Sequence, residues 1–593
     1  MWKFTFLKGI WEQEDIINNI LVESDTNYEG GITINSFNIL IGGEAGQGLK
    51  TVSHILGKAL YRMGFNVFTS RDFMSRIRGG HNFDKVRFGS EDIIGPADEV
   101  DIIVALNEET VVRHRDELKE DGVIITEKKD AGGENVVEIP AGKIAGEINP
   151  KGINTVYLGA LIKILGLDRN ECEKVIAEFF EDEGIVDDNY RLLEQGYHEV
   201  EERYEVAAPG NNEKRIYLDG KDAIGLGAMA AGVKFYTAYP MSPSTGIMNY
   251  LAGKQRDGGP VVEQAESEIG AINMALGAAY GGVRAMTGTS GGGFALMAEG
   301  MGLAGITETP LVVAEIQRPG PATGLPTRTE QGDLQFVINV SQGEFPLVVL
   351  APRDQEDAFY QTFRAFNLAE KYQLPVVILG DQFLVDSSRS VEEFDFESLE
   401  IERHLLSPAE QEGEYKRYEI TADGISPRAY SGQLPGQTVL VDSDEHDEAG
   451  HITESAEVRK AMVDKRMKKM DRLREEDLQE PEYTGREDAD YLLAGWGSTR
   501  GPLLEAQKLL TAEGISAGVL SFADVWPLPR QELESRTEGV VKFITVENNA
   551  TGQFANLVRQ ETGIKADNEI LKYDGSPFSG KEITRRVKEV ITQ

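Results

Sequence analysis

The chain has 593 residues and is strongly acidic, with 99 aspartates and glutamates against 60 lysines and arginines and a formal net charge of −39. This length predicts roughly three to five domains, because a single core rarely serves so long a chain. The negative charge disfavours nucleic acid or an anionic membrane surface as a partner, and it is typical of a solvated surface suited to a salty cytoplasm.

The cysteine content limits the redox chemistry that the chain can perform alone. Cys172 is the only cysteine, so no internal disulfide forms and no four-thiolate iron–sulfur cluster is held by this chain. Any electron relay must lie on another polypeptide. The apolar run at the start is too short for a signal peptide, and no ~20-residue apolar span follows. We therefore expect a cytoplasmic enzyme.

The N-terminal part predicts an extension followed by an α/β unit. Residues 1–34 have mixed composition, and we assign them no chemistry. A buried-strand pattern over 37–41 is followed by a turn containing Gly43, Gly46 and Gly48, and then by a helix with one apolar face. The turn lacks the GxGxxG spacing of dinucleotide sites, so a simple tight turn is the alternative to a ligand site.

A basic segment, residues 70–87, stands out in this acidic chain and includes Arg76 and Arg78. Arginines gathered in this way can hold phosphate or carboxylate groups bidentately. Ordinary interdomain ion pairs, which contribute little energy, are the alternative. Further strands and an amphipathic region follow, and residues 207–214 indicate a linker.

The part of the chain from 236 to 331 contains the residues with the clearest chemical pattern. Four short segments occur there: YPMSPS at 239–244, AESE at 265–268, TGTSGGG at 287–293 and QRPG at 317–320. Their order is that of an α/β cofactor site, because open parallel sheets bind ligands beyond the carboxyl ends of their strands. The glycines allow a backbone to approach a ligand closely, and free N–H groups at a helix start can face an anion.

Three side chains in these segments are candidates for function. Ser242 is presented rigidly between Pro240 and Pro243, which is more than strand termination requires. Glu268 is followed by small and apolar helix residues, whereas most helix carboxylates are solvated. Arg318 stands at the end of a predicted strand, in a loop rich in proline and glycine; an ordinary surface arginine is the alternative.

Together these segments resemble the alpha subunits of the 2-oxoacid:ferredoxin oxidoreductases in which a gamma domain is fused ahead of a thiamine-pyrimidine domain. The resemblance covers nearly all of the chain from about Asn35 onward. It implies a multidomain α/β fold. The expected parts are a Gly-rich-loop gamma domain at 35–206, a thiamine diphosphate pyrimidine-binding domain at 214–392, a linker and interface region at 393–486 and a transketolase C-terminal-like domain at 487–593.

The resemblance also assigns the cofactor contacts. Glu268 becomes the carboxylate that holds the pyrimidine N1′ of thiamine diphosphate, and this favours the imino tautomer whose 4′ nitrogen removes the thiazolium C2 proton. Tyr239 and Pro240 line the same pyrimidine. For coenzyme A, the resemblance points to the first domain, where the expected contacts are Gly43, Gly46, Gly48, Arg76 and Arg78.

The substrate contacts follow from the same resemblance. Arg318 is expected to bind the 2-oxoacid carboxylate, and Thr323 to tune what the rest of the substrate meets. Ser242 stands where the family usually carries a threonine whose hydroxyl lies near thiamine and substrate. Serine keeps the hydroxyl group, but without the methyl group of threonine the orientation of this hydroxyl is less restricted. Glu268, Ser242 and Arg318 are the expected catalytic residues.

A partner subunit is implied by what the sequence lacks. Thiamine diphosphate needs a Gly-Asp-Gly turn and a downstream asparagine to hold Mg²⁺ on the diphosphate, and no such turn occurs; Gly380, Asp381 and Gln382 come nearest. The diphosphate, the metal and a [4Fe-4S] cluster are therefore assigned to a beta subunit. We expect an (αβ)₂ heterotetramer that passes electrons to ferredoxin and is active only with its beta subunit.

The substrate expected first is 2-oxoglutarate, because the fusion and the acidic segment 444–448 resemble that branch of the family. A pyruvate or broad-range enzyme is the alternative. Two other classes stay open from the residues alone: a nicotinamide-dependent dehydrogenase, motivated by the first glycine-rich turn, and a non-catalytic acidic scaffold. His446 and His451 lie among acids, but their spacing matches no standard zinc or EF-hand pattern, so we assign no metal ion.

Overall fold

The computed structural model describes residues 36–76, 79–127, 135–209, 214–411 and 413–592. The predicted N-terminal extension and Arg78 lie outside the described residues. Three β-sheets covered by helices form the described part, which confirms the predicted α/β class. Within these residues, no helix has both the length and the apolar composition that a membrane crossing requires.

The strands alternate with helices along most of the chain. In chain order the strands are β1 (Phe37–Glu44), β2 (Asn66–Asp72), β3 (His81–Gly89), β4 (Val100–Ala105), β5 (Leu118–Thr126), β6 (Val136–Glu138), β7 (Arg215–Asp219), β8 (Phe235–Ala238), β9 (Val261–Gln264), β10 (Ala285–Thr289), β11 (Leu311–Gln317), β12 (Val348–Leu350), β13 (Pro375–Asp381), β14 (Ser388–Glu392), β15 (Glu482–Thr484), β16 (Tyr491–Trp496), β17 (Ala517–Phe522), β18 (Asp524–Trp526), β19 (Lys542–Glu547) and β20 (Asn568–Leu571).

The α-helices, in the same order, are α1 (Leu49–Arg62), α2 (Glu108–His114), α3 (Ala141–Ile148), α4 (Ile153–Ile164), α5 (Asn170–Phe179), α6 (Glu183–His198), α7 (Gly220–Ala230), α8 (Thr245–Gly253), α9 (Glu268–Tyr280), α10 (Gly291–Leu296), α11 (Ala298–Ile306), α12 (Leu334–Ile338), α13 (Gln355–Tyr372), α14 (Gln382–Asp386), α15 (Ala456–Glu476), α16 (Arg500–Ala512), α17 (Gln531–Thr537), α18 (Gln553–Thr562) and α19 (Gly580–Ile591). Short 3₁₀ turns lie at Arg115–Glu117, Pro150–Gly152, Gln255–Asp257 and Gly497–Thr499.

The first sheet has eight strands in the order β6-β5-β4-β1-β3-β2-β14-β7. Its core is built by α1, α4 and α6 against the strands. Helices α4 and α6 approach closely because Gly159 and Gly196 face the backbone of the opposite helix, where a Cβ atom would clash with the Leu193 and Val156 carbonyls. Strands β7 and β14 complete this sheet, although both belong to the predicted second domain.

The second sheet has seven strands in the order β18-β12-β13-β11-β10-β8-β9. All of its pairings are parallel except the one between β12 and β18. Parallel strands buried on both faces require near-continuous apolar runs, and β11 and β13 are buried along their whole length. The carboxyl ends of β8, β9, β10 and β11 therefore share one edge of this sheet.

The third sheet has five strands in the order β15-β17-β16-β19-β20, and only β15 is antiparallel to its neighbour. Strand β18, which follows β17 directly in the chain, belongs to the second sheet. The predicted domain boundaries followed composition, which carries no information about such long-range strand pairing. These boundaries stay a prediction, and each of the first two sheets takes strands from beyond one of them.

The region between the second and third sheets is held by buried ion pairs. Glu370 on α13 receives guanidinium groups from Arg284, Arg403 and Arg428 at 2.7–2.9 Å. A second buried carboxylate, Glu308, receives the ammonium groups of Lys465 and Lys469 on α15. Residues of the predicted linker region are thus fixed to the helices of the second sheet.

Candidate functional site

The four segments singled out in the sequence meet at one edge of the second sheet. Each follows one of the neighbouring parallel strands β11, β10, β8 and β9. The register aligns Thr289 with Glu315 and Ala238 with Gln264, so the strands end at similar heights. The loops beyond them therefore face a common space at the carboxyl edge, which is where open α/β sheets bind ligands.

Glu268 is the first residue of α9 and is only 4% exposed. Ser267 caps the helix, because its hydroxyl accepts a hydrogen bond from the Gly270 N–H at 3.1 Å. The Glu268 carboxylate lies against Gly293, where a Cβ atom would stand 2.7 Å from Oε1. The absence of a side chain at Gly293 allows this close approach of the buried carboxylate to the main chain.

The glycine-rich segment after β10 brings further polar atoms to the same place. The Thr289 hydroxyl faces the Met241 sulfur at 3.8 Å and also lies next to Gly293. The hydroxyl of Ser290 is buried, and no partner for it occurs among the residues that the structure describes. Residues following β8, β9 and β10 are thus in contact around a pocket of small side chains and hydroxyl groups.

Ser242 and Arg318 lie together, as predicted, but through the main chain. Arg318 Nη1 donates a hydrogen bond to the Ser242 carbonyl oxygen at 2.6 Å, while the Ser242 side chain is exposed. The Ser242–Pro243 peptide is cis. Tyr239 is 41% exposed and Pro240 is half-buried. The aromatic ring and the serine hydroxyl both remain accessible beside the buried part of the site.

A pair of buried acids that the sequence reasoning missed lies behind Arg318. Burial and the nearby Asp333 carboxyl raise the pKa of Glu315 well above its usual range. Burial also raises the pKa of Asp333 to about 6, although its hydrogen bond with Glu315 and the Arg318 charge act in the other direction. The Asp333 carboxylate packs on Gly291, at the start of α10. The two carboxyl groups and the Arg318 guanidinium thus influence one another's protonation.

The sequence signal for this pair was present but weak. Glu315 stands inside the otherwise apolar strand β11 and is fully buried. Its partner Asp333 follows a long loop, so no local spacing connects the two residues. An acid within a run that predicts a doubly buried strand is the feature that would have identified Glu315.

Thr323 lies in an exposed loop that folds back toward the start of α10. The turn is closed by a hydrogen bond from the Leu325 N–H to the Pro319 carbonyl at 3.0 Å. Gly324 has φ of +53°, and a Cβ atom there would clash with the same carbonyl. The Ala322 carbonyl oxygen would be 3.7 Å from a Cβ atom at Gly292. Thr323, the residue expected to tune substrate choice, therefore comes directly after Ala322, which contacts the glycine-rich segment at Gly292.

The three glycines expected to contact coenzyme A differ in their surroundings. Gly43 belongs to β1, because β1 continues to pair with β3 as far as Glu44, and it packs on Gln47 and Leu106. Gly48 packs on Asn154. Gly46 has φ of +97° and faces open space.

In the described part of the basic segment several cations form ion pairs, and its role in ligand binding stays a prediction. Three of its cations form ion pairs: Arg71 with Asp84 at 3.5 Å, Lys85 with Glu117 at 2.7 Å, and Arg87 with Glu505 of the third sheet's helix α16. Arg76 is exposed. Arg78 lies outside the described residues, so its role stays a prediction.

Two acidic segments considered in the sequence have structural partners. Asp381 is buried, caps α14 through the Leu384 N–H at 2.9 Å and accepts a hydrogen bond from Ser498. Glu445, in the segment with His446, pairs with Arg459 and Arg466. Among the described residues, no group of three or more His, Cys, Asp or Glu side chains is arranged to hold a metal ion.

Comparison with known proteins relates all three sheets to one group of enzymes. The family profile "Pyruvate flavodoxin/ferredoxin oxidoreductase, thiamine diP-bdg" matches residues 226–465. The profile "Pyruvate ferredoxin/flavodoxin oxidoreductase" matches residues 38–199, and "Transketolase, C-terminal domain" matches residues 483–564. These matches confirm the three α/β parts predicted from the sequence.

Individual relatives extend over most of the chain. The 2-oxoacid:ferredoxin oxidoreductase subunit alpha of a Sulfolobus species is 34% identical, covering 93% of this chain and 96% of the relative. The 2-oxoglutarate synthase subunit KorA of Methanothermobacter marburgensis is 33% identical, covering 63% of this chain and 98% of that protein. A solved structure, 2-oxoglutarate:ferredoxin oxidoreductase from Magnetococcus marinus with 2-oxoglutarate, coenzyme A and succinyl-CoA bound, matches with a TM-score of 0.88 and 33% identity, covering 94% of this chain and 100% of that one.

Proposed function

We propose that this chain, which belongs to the alpha subunits of the 2-oxoacid:ferredoxin oxidoreductases, forms the pyrimidine half of a thiamine diphosphate site and binds the 2-oxoacid carboxylate through Arg318. The observation that carries the proposal is the meeting of Glu268, Gly293 and Arg318 at one sheet edge. In the reaction, a 2-oxoacid loses its carboxylate group and its remaining acyl group forms a thioester with the coenzyme A thiol. The reaction releases carbon dioxide, one proton and two electrons, and the electrons pass to ferredoxin.

The residues around Glu268 fit the pyrimidine ring of the cofactor. A buried carboxylate can accept a hydrogen bond from a flat ring, and the missing Cβ atom at Gly293 lets the main chain lie directly against this carboxylate. Bound thiamine diphosphate supplies the carbon nucleophile that attacks the 2-oxo group. Glu268 keeps the ring in the protonation state that this chemistry needs, and the loops after β8 and β10 exclude water around it.

Arg318 fits the role of the carboxylate binder because neighbouring groups hold its guanidinium group in place. Its side chain is anchored by the Ser242 carbonyl and lies beside Asp333. A carboxylate entering this partly buried space needs a fixed cation to offset its lost hydration. The planar guanidinium group retains further N–H donors that can meet such an anion.

A beta subunit is proposed to complete the site. The outer side of α9, the start of β9 and the end of α10 expose apolar side chains, namely Val261, Ile269, Met274, Tyr280 and Leu296, and Ile269 directly follows Glu268. Apolar groups clustered beside an incomplete cofactor site favour a protein partner. We assign to that partner the diphosphate, Mg²⁺ and the [4Fe-4S] cluster, with ferredoxin as the electron acceptor and an (αβ)₂ assembly.

The proposed substrate is 2-oxoglutarate. The Magnetococcus marinus protein, which binds 2-oxoglutarate and succinyl-CoA, supports this assignment through its match over 94% of the chain. The Sulfolobus relative, named for 2-oxoacids in general, favours a broad-range enzyme as the second candidate. A nicotinamide dehydrogenase receives less support, because Gly43 and Gly48 of the first turn pack against the protein's own side chains.

The test is reconstitution of the chain with a beta subunit of this enzyme family. We expect coenzyme A-dependent reduction of ferredoxin with 2-oxoglutarate by the complex, and none by the chain alone. Isothermal titration should show that the chain alone binds thiamine diphosphate weakly, because it provides the pyrimidine carboxylate but no magnesium-diphosphate motif. Micromolar binding without the beta subunit would contradict the half-site assignment, and NAD⁺ reduction would favour the dehydrogenase alternative.

A further inference from the structure

The loop that carries Arg318, residues 318–331, is held by two separate parts of the molecule. The third sheet fixes its end, where the Thr329 N–H donates to the Gly575 carbonyl at 3.2 Å and the Gln331 N–H to the Asn548 carbonyl at 2.6 Å. The first sheet holds the part just before this end. There the Thr327 hydroxyl donates to the Phe73 carbonyl, and Arg328 forms an ion pair with Asp72.

The contact with the first sheet reaches the basic segment. Asp72 is the last residue of β2, directly after Arg71, whose side chain is fixed beside the buried Asp84. The Met74 N–H donates to the Asn82 side chain at 2.8 Å, and the exposed Arg76 follows. The loop proposed to bind the 2-oxoacid therefore touches residues 72 and 73, close to Arg76, which the resemblance assigns to coenzyme A.

The ion pair is partly shielded from solvent, with side-chain exposures of 26% for Arg328 and 21% for Asp72. Arg328 cannot turn away freely, because its stem packs on Gly575, where a Cβ atom would be 3.1 Å from the Arg328 Cβ. Fully exposed pairs contribute little, whereas a pair with restricted side chains and reduced hydration can hold two elements in register.

We propose that Asp72 and Arg328 are positioning residues that couple the two subsites, so that a ligand bound at either one strengthens binding at the other. The inference rests on the proposed function. Its physical basis is a shared contact: a ligand that fixes the position of Asp72 also fixes Arg328 and its loop, and a 2-oxoacid that fixes the loop also fixes Asp72. Thermodynamic linkage makes this coupling equal in both directions.

The experiment uses the αβ complex and desulfo-coenzyme A, which lacks the reactive thiol. Its Kd is measured by titration calorimetry with and without saturating 2-oxoglutarate, in the absence of ferredoxin. In the wild-type complex we expect 2-oxoglutarate to tighten binding about 5-fold or more, a typical size for coupling between sites. In D72N and in R328Q the ratio of the two Kd values should fall to near 1, and the reversed pair D72R/R328D should restore part of it.

A matched control separates coupling from simple attachment of the first sheet. Glu99 and Lys581 also join the first and third sheets, at 2.6 Å, and neither touches residues 318–331. E99Q should leave the Kd ratio unchanged. Hydrogen exchange of the loop peptides in the ligand-free complex gives a second readout, which we expect to rise in D72N and not in E99Q.

Two results would overturn the proposal: a wild-type Kd ratio retained by both D72N and R328Q, or loop exchange in D72N equal to that in E99Q. If the wild-type complex binds neither ligand, the proposed function fails. The exchange measurement then still decides whether the ion pair positions the loop, because it needs no substrate.

Discussion

At the scale of single residues, Glu268 is notable for being buried at the start of a helix, where most carboxylates are solvated. We predict that E268Q lowers kcat of the αβ complex on the order of 10²-fold or more, because the amide keeps the shape but not the charge that the cofactor ring needs. E266Q, at an exposed position two residues earlier, is the matched control. Near-normal turnover of E268Q would mean that another carboxylate holds the ring.

Arg318 is the second residue whose removal should be decisive. R318A leaves the substrate carboxylate without its cation, and losing one partner of a desolvated charge pair costs ~2–5 kcal/mol. We expect kcat/KM to fall roughly 30-fold or more for 2-oxoglutarate and pyruvate alike. R256A removes an exposed arginine from the 3₁₀ turn before β9 and should change neither value. A changed ratio between the two acids at an unchanged overall rate would show that Arg318 reads the side chain instead.

The buried acid pair predicts a pH dependence. The folded state holds the Glu315 proton more tightly than the unfolded chain, since its pKa is raised mainly by burial. Binding of this proton adds to the free energy of unfolding at low pH. This contribution decreases as the pH rises from the ordinary glutamate pKa toward the raised pKa of the folded state. E315Q mimics the protonated form, so its Tm should increase relative to wild type between pH 5 and pH 9.

Differential scanning fluorimetry across this pH range measures the effect. E299Q, an exposed glutamate on α11, should show a constant difference from wild type. A Tm difference for E315Q that falls with increasing pH would contradict the assigned direction.

The residues at the site show what the sequence reveals and what it does not. Ser242, Glu268 and Arg318 were identified because strand ends with glycine, proline or an isolated acid leave a local pattern. The contact of Arg318 with a carbonyl oxygen, and the pairing of Glu315 with Asp333, depend on which loops meet in space. No spacing along the chain encodes such meetings.

At the scale of secondary structure elements, α9 connects the site to the proposed partner. Its inner side packs on the second sheet, while Ile269, 52% exposed, lies directly after Glu268 on the outer side. We predict that I269E weakens association with the beta subunit roughly 30-fold or more, because an unpaired charge would be buried in the interface. Analytical ultracentrifugation measures the change.

V112E provides the control for this surface. Val112 is 76% exposed on α2 of the first sheet, far along the chain from the cofactor segments. Unchanged association of I269E, or an equal loss in V112E, would move the beta interface elsewhere.

The elements themselves were predicted well where local pattern decides them. The strands before Ser242 and Arg318, the helix after Asp354 and the glycine-rich helix start all follow from apolar runs and turn residues, whereas strand β9 was not predicted. Strand β1 was predicted to end before Gly43, but it extends to Glu44 because β3 continues to pair with it. Strand ends are set by the neighbouring strand, and the sequence of one strand alone lacks that information.

At the scale of the whole molecule, Glu308 holds the long helix α15 against the second sheet. Its carboxylate receives Lys465 at 2.6 Å and also Lys469, and all three side chains are buried. Burial would raise the pKa of Glu308, but the two ammonium groups outweigh it and hold the pKa well below the usual range. The two ammonium groups thus stabilise the ionised form of this carboxylate.

We predict that E308Q destabilises the protein by about 3–5 kcal/mol, because two buried ammonium groups would face each other without an anion. Chemical denaturation followed by circular dichroism measures the loss. D464N removes an exposed pair from the same helix, between Lys460 and Asp464, and should cost at most about 0.5 kcal/mol. Equal effects of the two substitutions would show that the buried cluster adds no special stability.

The placement of β14 in the first sheet has a consequence for the order of events during synthesis. The Val67 N–H donates to the Ser390 hydroxyl, a contact that spans 323 residues. At translation rates of about 5–20 residues per second, β2 waits roughly 15 to 65 s on the ribosome before its neighbour exists. Throughout that interval its hydrogen-bonding edge is open to strands of other nascent chains. Newly made chains therefore pass through a period of aggregation risk that the finished enzyme no longer shows, and a trigger-factor-like chaperone acting on the first 400 residues would raise the yield of active complex.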